Sequence, residues 1–248
     1  MVIKYKKEVS SETISIKTSS DEGEIDCINV KDAKNDRINW IEVAIAQRCF
    51  YCKNIKLESG DLERLQNGEW FNDKLINCYY KLLGEKRADC KFLDTFFVKT
   101  LFKANDKNRK MVTLGYKECR RSWLKYKKLF IPIHSGSHWY LLMCDFETIH
   151  ILDSLNKGEL QISREILNIK LTIENVIQKK LKIYCLTNIP QQRNGNDCGV
   201  FLCMYTKTLA FGMKFYRGNM HKYRNRIAHE LLAHKIIYGH RKIYIPGE

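Results

Sequence analysis

With 248 residues and 44% hydrophobic content, the chain can bury one substantial core, with room for an appendage. No apolar run approaches the roughly 18 residues that span a bilayer, and Lys4, Lys6, Lys7 and Glu8 interrupt the place a secretory apolar region would occupy, which excludes an integral membrane protein and implies a soluble, intracellular one. The net charge of +15 is uneven: residues 1–36 hold six lysines and eight acids, a net of −2, so residues 37–248 carry +17, a basic body suited either to an acidic partner, nucleic acid or protein, or simply to solvated lysine-rich faces.

Residues 1–36 contain one aromatic, Tyr5, among many Ser, Lys and acidic residues with no sustained period, and are expected to form a flexible arm. Within it, residues 24–30 (EIDCINV) mix acids with β-branched residues, a pattern read either as plain linker or as a strand that adds to the sheet edge of a ubiquitin-like protein. Trp40, Val43 and Ala44 recur at helical spacing and predict a short docked helix between residues 35 and 53. After Asp73, an acid suited to a helix start, Leu75, Ile76, Tyr79, Leu82 and Leu83 follow an i, i+3/i+4, i+7 pattern that ends at Gly84 and predicts an amphipathic helix. Residues 92–102 (FLDTFFVKTLF) read as a second, largely buried helix, and residues 105–110 as a surface loop.

Three strand-like runs follow, residues 129–133, 138–146 and 148–155, the last two joined by a tight turn near Glu147. Residues 163–181 predict a helix, 182–186 another strand, 198–214 a buried helix and 220–237 an amphipathic one. Helices around a central, mainly antiparallel sheet make the class α+β.

Ten cysteines are scattered mostly as single residues in apolar segments, as Cys78, Cys144, Cys185 and Cys203 are, which fits reduced, buried thiols better than disulfides. Cys49 and Cys52 form the one CxxC pair. A structural zinc site needs two further ligands at matching spacing, and none is paired that way, so no metal is expected.

Cys198 stands apart, in the segment NIPQQRNGNDCGVF of residues 188–201. It falls at a predicted helix start, where unpaired N–H groups and the helix dipole stabilise a thiolate. His138 opens one strand and Asp153 sits in the next, so two neighbouring strands can carry a base and its orienting acid side by side. Gln192 or Gln191 offers an amide to the oxyanion that thiolate attack creates, alongside the Cys198 N–H. His134 and His150 are read as surface or packing residues. Asp153 has a blander role as a turn former in LDSLN, and Asp73 as a helix cap.

The pieces QQ-x-NG-x-DCG, HW before an apolar run, LDS, and Trp70-Phe71-Asn72-Asp73, in the order His, Asp, Gln, Cys, together resemble the SUMO/sentrin-specific (ubiquitin-like-specific) cysteine protease family over about residues 57–209. The resemblance implies a papain-like fold, with Cys198 as nucleophile, His138 as base, Asp153 as orienting acid and Gln192, rather than Gln191, as oxyanion donor. It also implies that Trp70 and Trp139 wall a channel admitting only a Gly-Gly tail, with Phe71 in place of the family's Leu, and that Asp73 contacts a basic residue of the modifier. The implied activity needs no cofactor: removal of a ubiquitin-like modifier, SUMO first among them, from target lysines, with processing of its precursor after Gly-Gly, in the nucleus or nuclear envelope by family habit. Residues 37–248 would be the catalytic domain. The rivals are a deubiquitinase, a deneddylase or a viral-type protease on the same scaffold, and a non-catalytic module that binds a modifier or nucleic acid.

Overall fold

The computed structural model describes residues 38–100, 122–155 and 162–237, and the backbone of Thr13–Ile14 and Ile28–Asn29. These last two form a pair of short antiparallel strands, β1 (Thr13–Ile14) and β2 (Ile28–Asn29). The remainder of the expected arm, the rest of residues 24–30 and the loop at 105–110 lie outside the described residues. The chain divides into two units, residues 1–39 and Trp40–Glu248.

The second unit opens with α1 (Trp40–Ala46), which buries Trp40, Ile41 and Ala44. Trp40 stacks flat on His229, with ring centroids 4.0 Å apart, and the Ile41 N–H donates to Asn225 Oδ1 at 3.1 Å. The predicted helix therefore docks, but it stops short of Lys53. Residues Cys49–Cys52 (β3) and Ile55–Glu58 (β4) form a hairpin instead, closed by Lys53 and Asn54, both at positive φ, the backbone of a type I′ turn. Alternation along β3 exposes Cys49 and buries Cys52, so the CxxC thiols leave opposite faces of the strand.

After the short helix α2 (Ser59–Leu62) comes α3 (Asp73–Lys86), burying Leu75, Ile76, Tyr79, Leu82 and Leu83 as the spacing requires. Its cap is Asn72, whose side chain accepts from the Leu75 N–H at 3.1 Å. Asp73 is the first helical residue rather than the cap. Asp61 fixes the cap in turn, accepting from Asn72 Nδ2 at 2.6 Å and Lys74 Nζ at 2.8 Å.

The expected helix over 92–102 is corrected at its start: Cys90–Phe92 is a strand, β5, parallel to β6 (Lys128–Ser135). β6 pairs antiparallel with β7 (His138–Cys144), which pairs antiparallel with β8 (Thr148–Leu152), and β9 (Lys182–Cys185) joins β8 in parallel. The five-stranded sheet runs β5-β6-β7-β8-β9, antiparallel at its centre and parallel at both edges. Asp145 shapes the β7–β8 turn by accepting from the Glu147 and Thr148 N–H groups at 3.0 and 2.8 Å.

Both faces of this sheet are covered, which is why its strands read as nearly continuous apolar runs. On one face Ile166, Ile169, Ile173 and Val176 of α4 (Arg164–Ile177) pack on Ile131, Tyr140, Leu142 and Ile149. On the other, α5 (Cys198–Phe211) packs against β7, and α3 against α5 and β5. Every α5 residue from Cys198 to Ala210 is buried, as expected of a helix apolar on nearly all sides. The last helix, α6 (Met220–Leu232), lies against α1, α3 and α5. Among the described residues no helix is long and apolar enough to cross a membrane.

Candidate active site

Sheet register places the first two predicted residues. Leu141 faces Leu152 across the β7–β8 ladder, so continuing the register by one step sets Tyr140 opposite Asp153 and makes His138 its diagonal neighbour on the same face. Such pairs are within reach of long side chains. His138 Nε2 and Asp153 Oδ1 are 2.7 Å apart. A carboxylate can only accept, so Nε2 carries the proton and Nδ1 is left for the other side of the ring. A second donor, the Leu155 N–H at 2.8 Å, holds the same Asp153 oxygen.

On that other side stands Cys198, the first residue of α5. Burial works against a charged His138 ring, yet hydrogen bonds to Asp153 and Cys198, with the charge of both, outweigh it and raise the imidazole to about 9. Cys198 itself is 2% exposed. Its N–H belongs to the first turn of α5, where backbone donors lack intrahelical acceptors. Among the other buried thiols, desolvation pushes Cys144 up to about 12 and Cys203 above the usual thiol range. Cys52 is the exception, pulled down by a hydrogen bond from Cys78 and by His234, but it is wholly buried.

Gln192 lies on the loop before α5, 8% exposed. Its Nε2 donates to the Asn194 carbonyl at 2.7 Å and its Oε1 accepts from the Ser154 hydroxyl at 2.6 Å. A carbonyl cannot donate, so the amide cannot be turned over, and its second N–H remains outside both bonds. Gln191 points elsewhere, its Nε2 towards the Asp153 carbonyl at 3.4 Å.

Trp139 is buried, and its indole N–H donates to the Phe71 carbonyl at 3.1 Å. That bond ties it to the segment carrying Trp70, which is 45% exposed. Asp73 follows two residues after Phe71, and its charge reaches His134, whose ring centroid is 4.3 Å from that of Trp139. The expected residues thus converge on one region, and His134, read from sequence as a bystander, borders it.

Three further residues support the arrangement. A Cβ on Gly199 would stand 2.6 Å from the Cβ of Phe71, so the glycine after Cys198 lets the Phe71 segment close on the start of α5. Arg224, fully buried, donates to Asp197 Oδ1 from Nε at 2.9 Å and from a terminal nitrogen at 2.7 Å. Ser154 holds Gln192 as described. Gly199, beside Cys198, and Ser154, in the LDS piece, were visible in the sequence, whereas Arg224 gave no local signal.

The model of the Ulp1 protease family, C-terminal catalytic domain (peptidase C48), matches residues 69–236. A sentrin-specific protease of Caenorhabditis elegans is 29% identical over 202 residues, 74% of this chain and 28% of the relative. Human sentrin-specific protease 5 is 31% identical over 201 residues, 74% of this chain and 25% of the relative. The chain therefore spans only a quarter to somewhat under a third of the length of these curated relatives. Among solved structures, SUMO protease Ulp1 with its catalytic cysteine oxidised to a sulfenic acid superposes with a TM-score of 0.65 at 25% identity, covering 83% of this chain and 95% of that one. The C-terminal Ulp1 protease domain in complex with Smt3, the yeast ortholog of SUMO, superposes at 0.63 with 25% identity, over 84% and 96%. The α+β fold is thus the papain-like one expected, and the match over residues 69–236 makes this chain a member of the Ulp1 protease family.

Proposed function

We propose that this chain is a cysteine isopeptidase that removes a ubiquitin-like modifier, SUMO first among them, from lysines of target proteins and trims the modifier's precursor after Gly-Gly. The observation that carries the reading is His138 held at 2.7 Å by Asp153 and raised to about 9 by Asp153 and Cys198 together. At neutral pH such an imidazole is protonated, and the Cys198 sulfur beside it is the nucleophile of the pair.

In this mechanism the Cys198 sulfur attacks the carbonyl of the terminal glycine. The oxyanion accepts from the Cys198 N–H and the second N–H of Gln192. His138 then gives its proton to the departing lysine amine, the C–N bond breaks, and a thioester remains. Water, deprotonated by His138, hydrolyses the thioester and returns the thiol. Asp153 keeps the ring in the tautomer that presents Nδ1 to sulfur throughout. No step requires a cofactor.

The depth of Cys198 supports the choice of tail. A nucleophile only 2% exposed is reached by a thin segment, and Gly-Gly, lacking side chains, is the thinnest peptide. Trp70 and Trp139 are the walls in this reading, and Asp73 meets a basic group on the modifier. The partner of the Ulp1 neighbour, the yeast ortholog of SUMO, favours SUMO over its relatives. Residues 37–248 form the catalytic domain in this proposal, and the nucleus is its place of action.

Electrophilic probes built on SUMO, ubiquitin and the neddylation modifier test it. The SUMO probe should form a covalent adduct that Cys198→Ala abolishes. A stronger adduct with another modifier would overturn the substrate, and absence of any adduct would overturn the activity.

A further inference from the structure

We propose that Ser154 is a positioning residue of the oxyanion hole, fixing the Gln192 amide so that its remaining N–H meets the developing charge; this rests on the peptidase reading above. Ser154 is 1% exposed and follows Asp153 directly, two residues past the end of β8. Asp153 turns to His138 while Ser154 turns to the loop before α5. One strand end thus serves both halves of the chemistry.

The contact is doubled. Besides the 2.6 Å hydroxyl bond to Gln192 Oε1, the Gln192 N–H donates to the Ser154 carbonyl at 2.9 Å. The backbone bond sets where Gln192 stands, and the hydroxyl sets how its amide is turned. With Nε2 also donating to the Asn194 carbonyl at 2.7 Å, the amide plane is fixed at both ends, leaving one N–H in a set direction. Donation into Oε1 also draws electron density from the amide nitrogen, which strengthens that N–H as a donor through hydrogen-bond cooperativity. An unfixed amide would have to be oriented at each turnover, and the gain of a preorganised oxyanion donor would be reduced.

Ser154→Ala deletes one oxygen and keeps the backbone bond. It should lower kcat about tenfold, as expected for one lost hydrogen bond of ordinary strength, with KM within about twofold because ground-state binding is untouched. Rates are normalised to the fraction labelled by the SUMO probe, so a folding defect lowers labelling and not the rate per labelled site. The decisive measurement is the double-mutant cycle with Gln192→Ala: in that background Ser154→Ala should change kcat by less than about twofold, because the group it orients is gone. An aldehyde-tailed modifier, whose adduct with Cys198 carries a tetrahedral oxygen, should bind about tenfold more weakly to Ser154→Ala. Equal losses in both backgrounds, a change confined to KM, or no loss at all would overturn the role of Ser154 while leaving the peptidase reading intact. Wild-type chain without turnover on any modifier would instead sink the peptidase reading, and this inference with it.

Discussion

The guanidinium of Arg224 grips Asp197, the residue immediately before Cys198, through two hydrogen bonds of 2.9 and 2.7 Å to one carboxylate oxygen. The same guanidinium donates to the carbonyls of Arg64, Gln66 and Glu69 at 3.0, 2.7 and 2.6 Å and lies over the Phe71 ring at 5.1 Å. Arg224 therefore joins the loop that ends at Cys198 to the segment that carries Trp70 and Phe71.

Removing one partner of a buried ion pair strands the other charge, which costs roughly 3–5 kcal/mol. Arg224→Met should destabilise the fold by about that much in a urea titration. Asp197→Asn should cost less, because an amide oxygen still accepts from Arg224 and the three carbonyls remain. The reverse order would mean that the carboxylate, not the guanidinium, is the centre of this network.

The fold shows which of these relationships sequence can carry. α3 and β6 to β8 were legible because Leu75, Ile76, Tyr79 and the runs around Ile131 and Leu142 repeat at the period of their element. β3 and β4 were not: each has four residues, and their turn uses Lys53-Asn54 rather than a glycine dipeptide. The start of residues 92–102 was misread for a related reason, since a short apolar run suits a strand and a buried helix equally. Of the site, Cys198, His138, Asp153 and Gln192 carry recognisable chemistry. Arg224 lies between Lys222 and Arg226 in α6, and only tertiary contact reveals that it is buried.

His138 gives a prediction with a definite sign. Its folded pKa is raised from 6.5 to about 9, so its contribution to stability is fully present below about 6.5, the unfolded value, and is lost as pH rises towards 9. Asp153→Asn removes a charge that holds the proton and should move the His138 titration down towards its ordinary value, followed by NMR of the ring protons. Cys198→Ala should also move it down. A titration unmoved by either change would separate His138 from both partners.

Gln192→Ala should lower kcat by roughly 10²–10³ with a smaller effect on KM, the signature of a donor that acts on the transition-state oxyanion. Steady-state rates on a SUMO fusion measure it. A pure KM effect would recast Gln192 as a binding residue.

Gly199→Ala tests the close approach to Phe71. The added methyl would meet the Phe71 Cβ at 2.6 Å, and because a Cβ moves only with its backbone, the Trp70-Phe71 segment must shift. Overpacking of this kind costs about 1–3 kcal/mol. Activity should fall along with the melting temperature, and the Trp139 to Phe71 hydrogen bond of 3.1 Å should weaken. Full activity in this variant would show that the segment is free to move without consequence for turnover.

The channel and the charge act at different stages and can be separated. If Trp70 and Trp139 wall a slot leading to Cys198, a modifier ending in Gly-Ala should fail through steric exclusion, although its distant surface is unchanged. Trp139→Ala removes a wall and its tie to Phe71, and should narrow the difference between the two tails. The +17 carried by residues 37–248 acts earlier, on encounter: if it steers an acidic modifier, kcat/KM should fall as salt rises past 0.1 M, where screening over about 10 Å weakens long-range attraction. The preference for Gly-Gly should not change with salt, because discrimination at the slot is a contact effect. Equal cleavage of both tails would refute the channel. A salt-independent kcat/KM would assign the basic surface to another partner, and filter binding with nucleic acid would then be the next measurement.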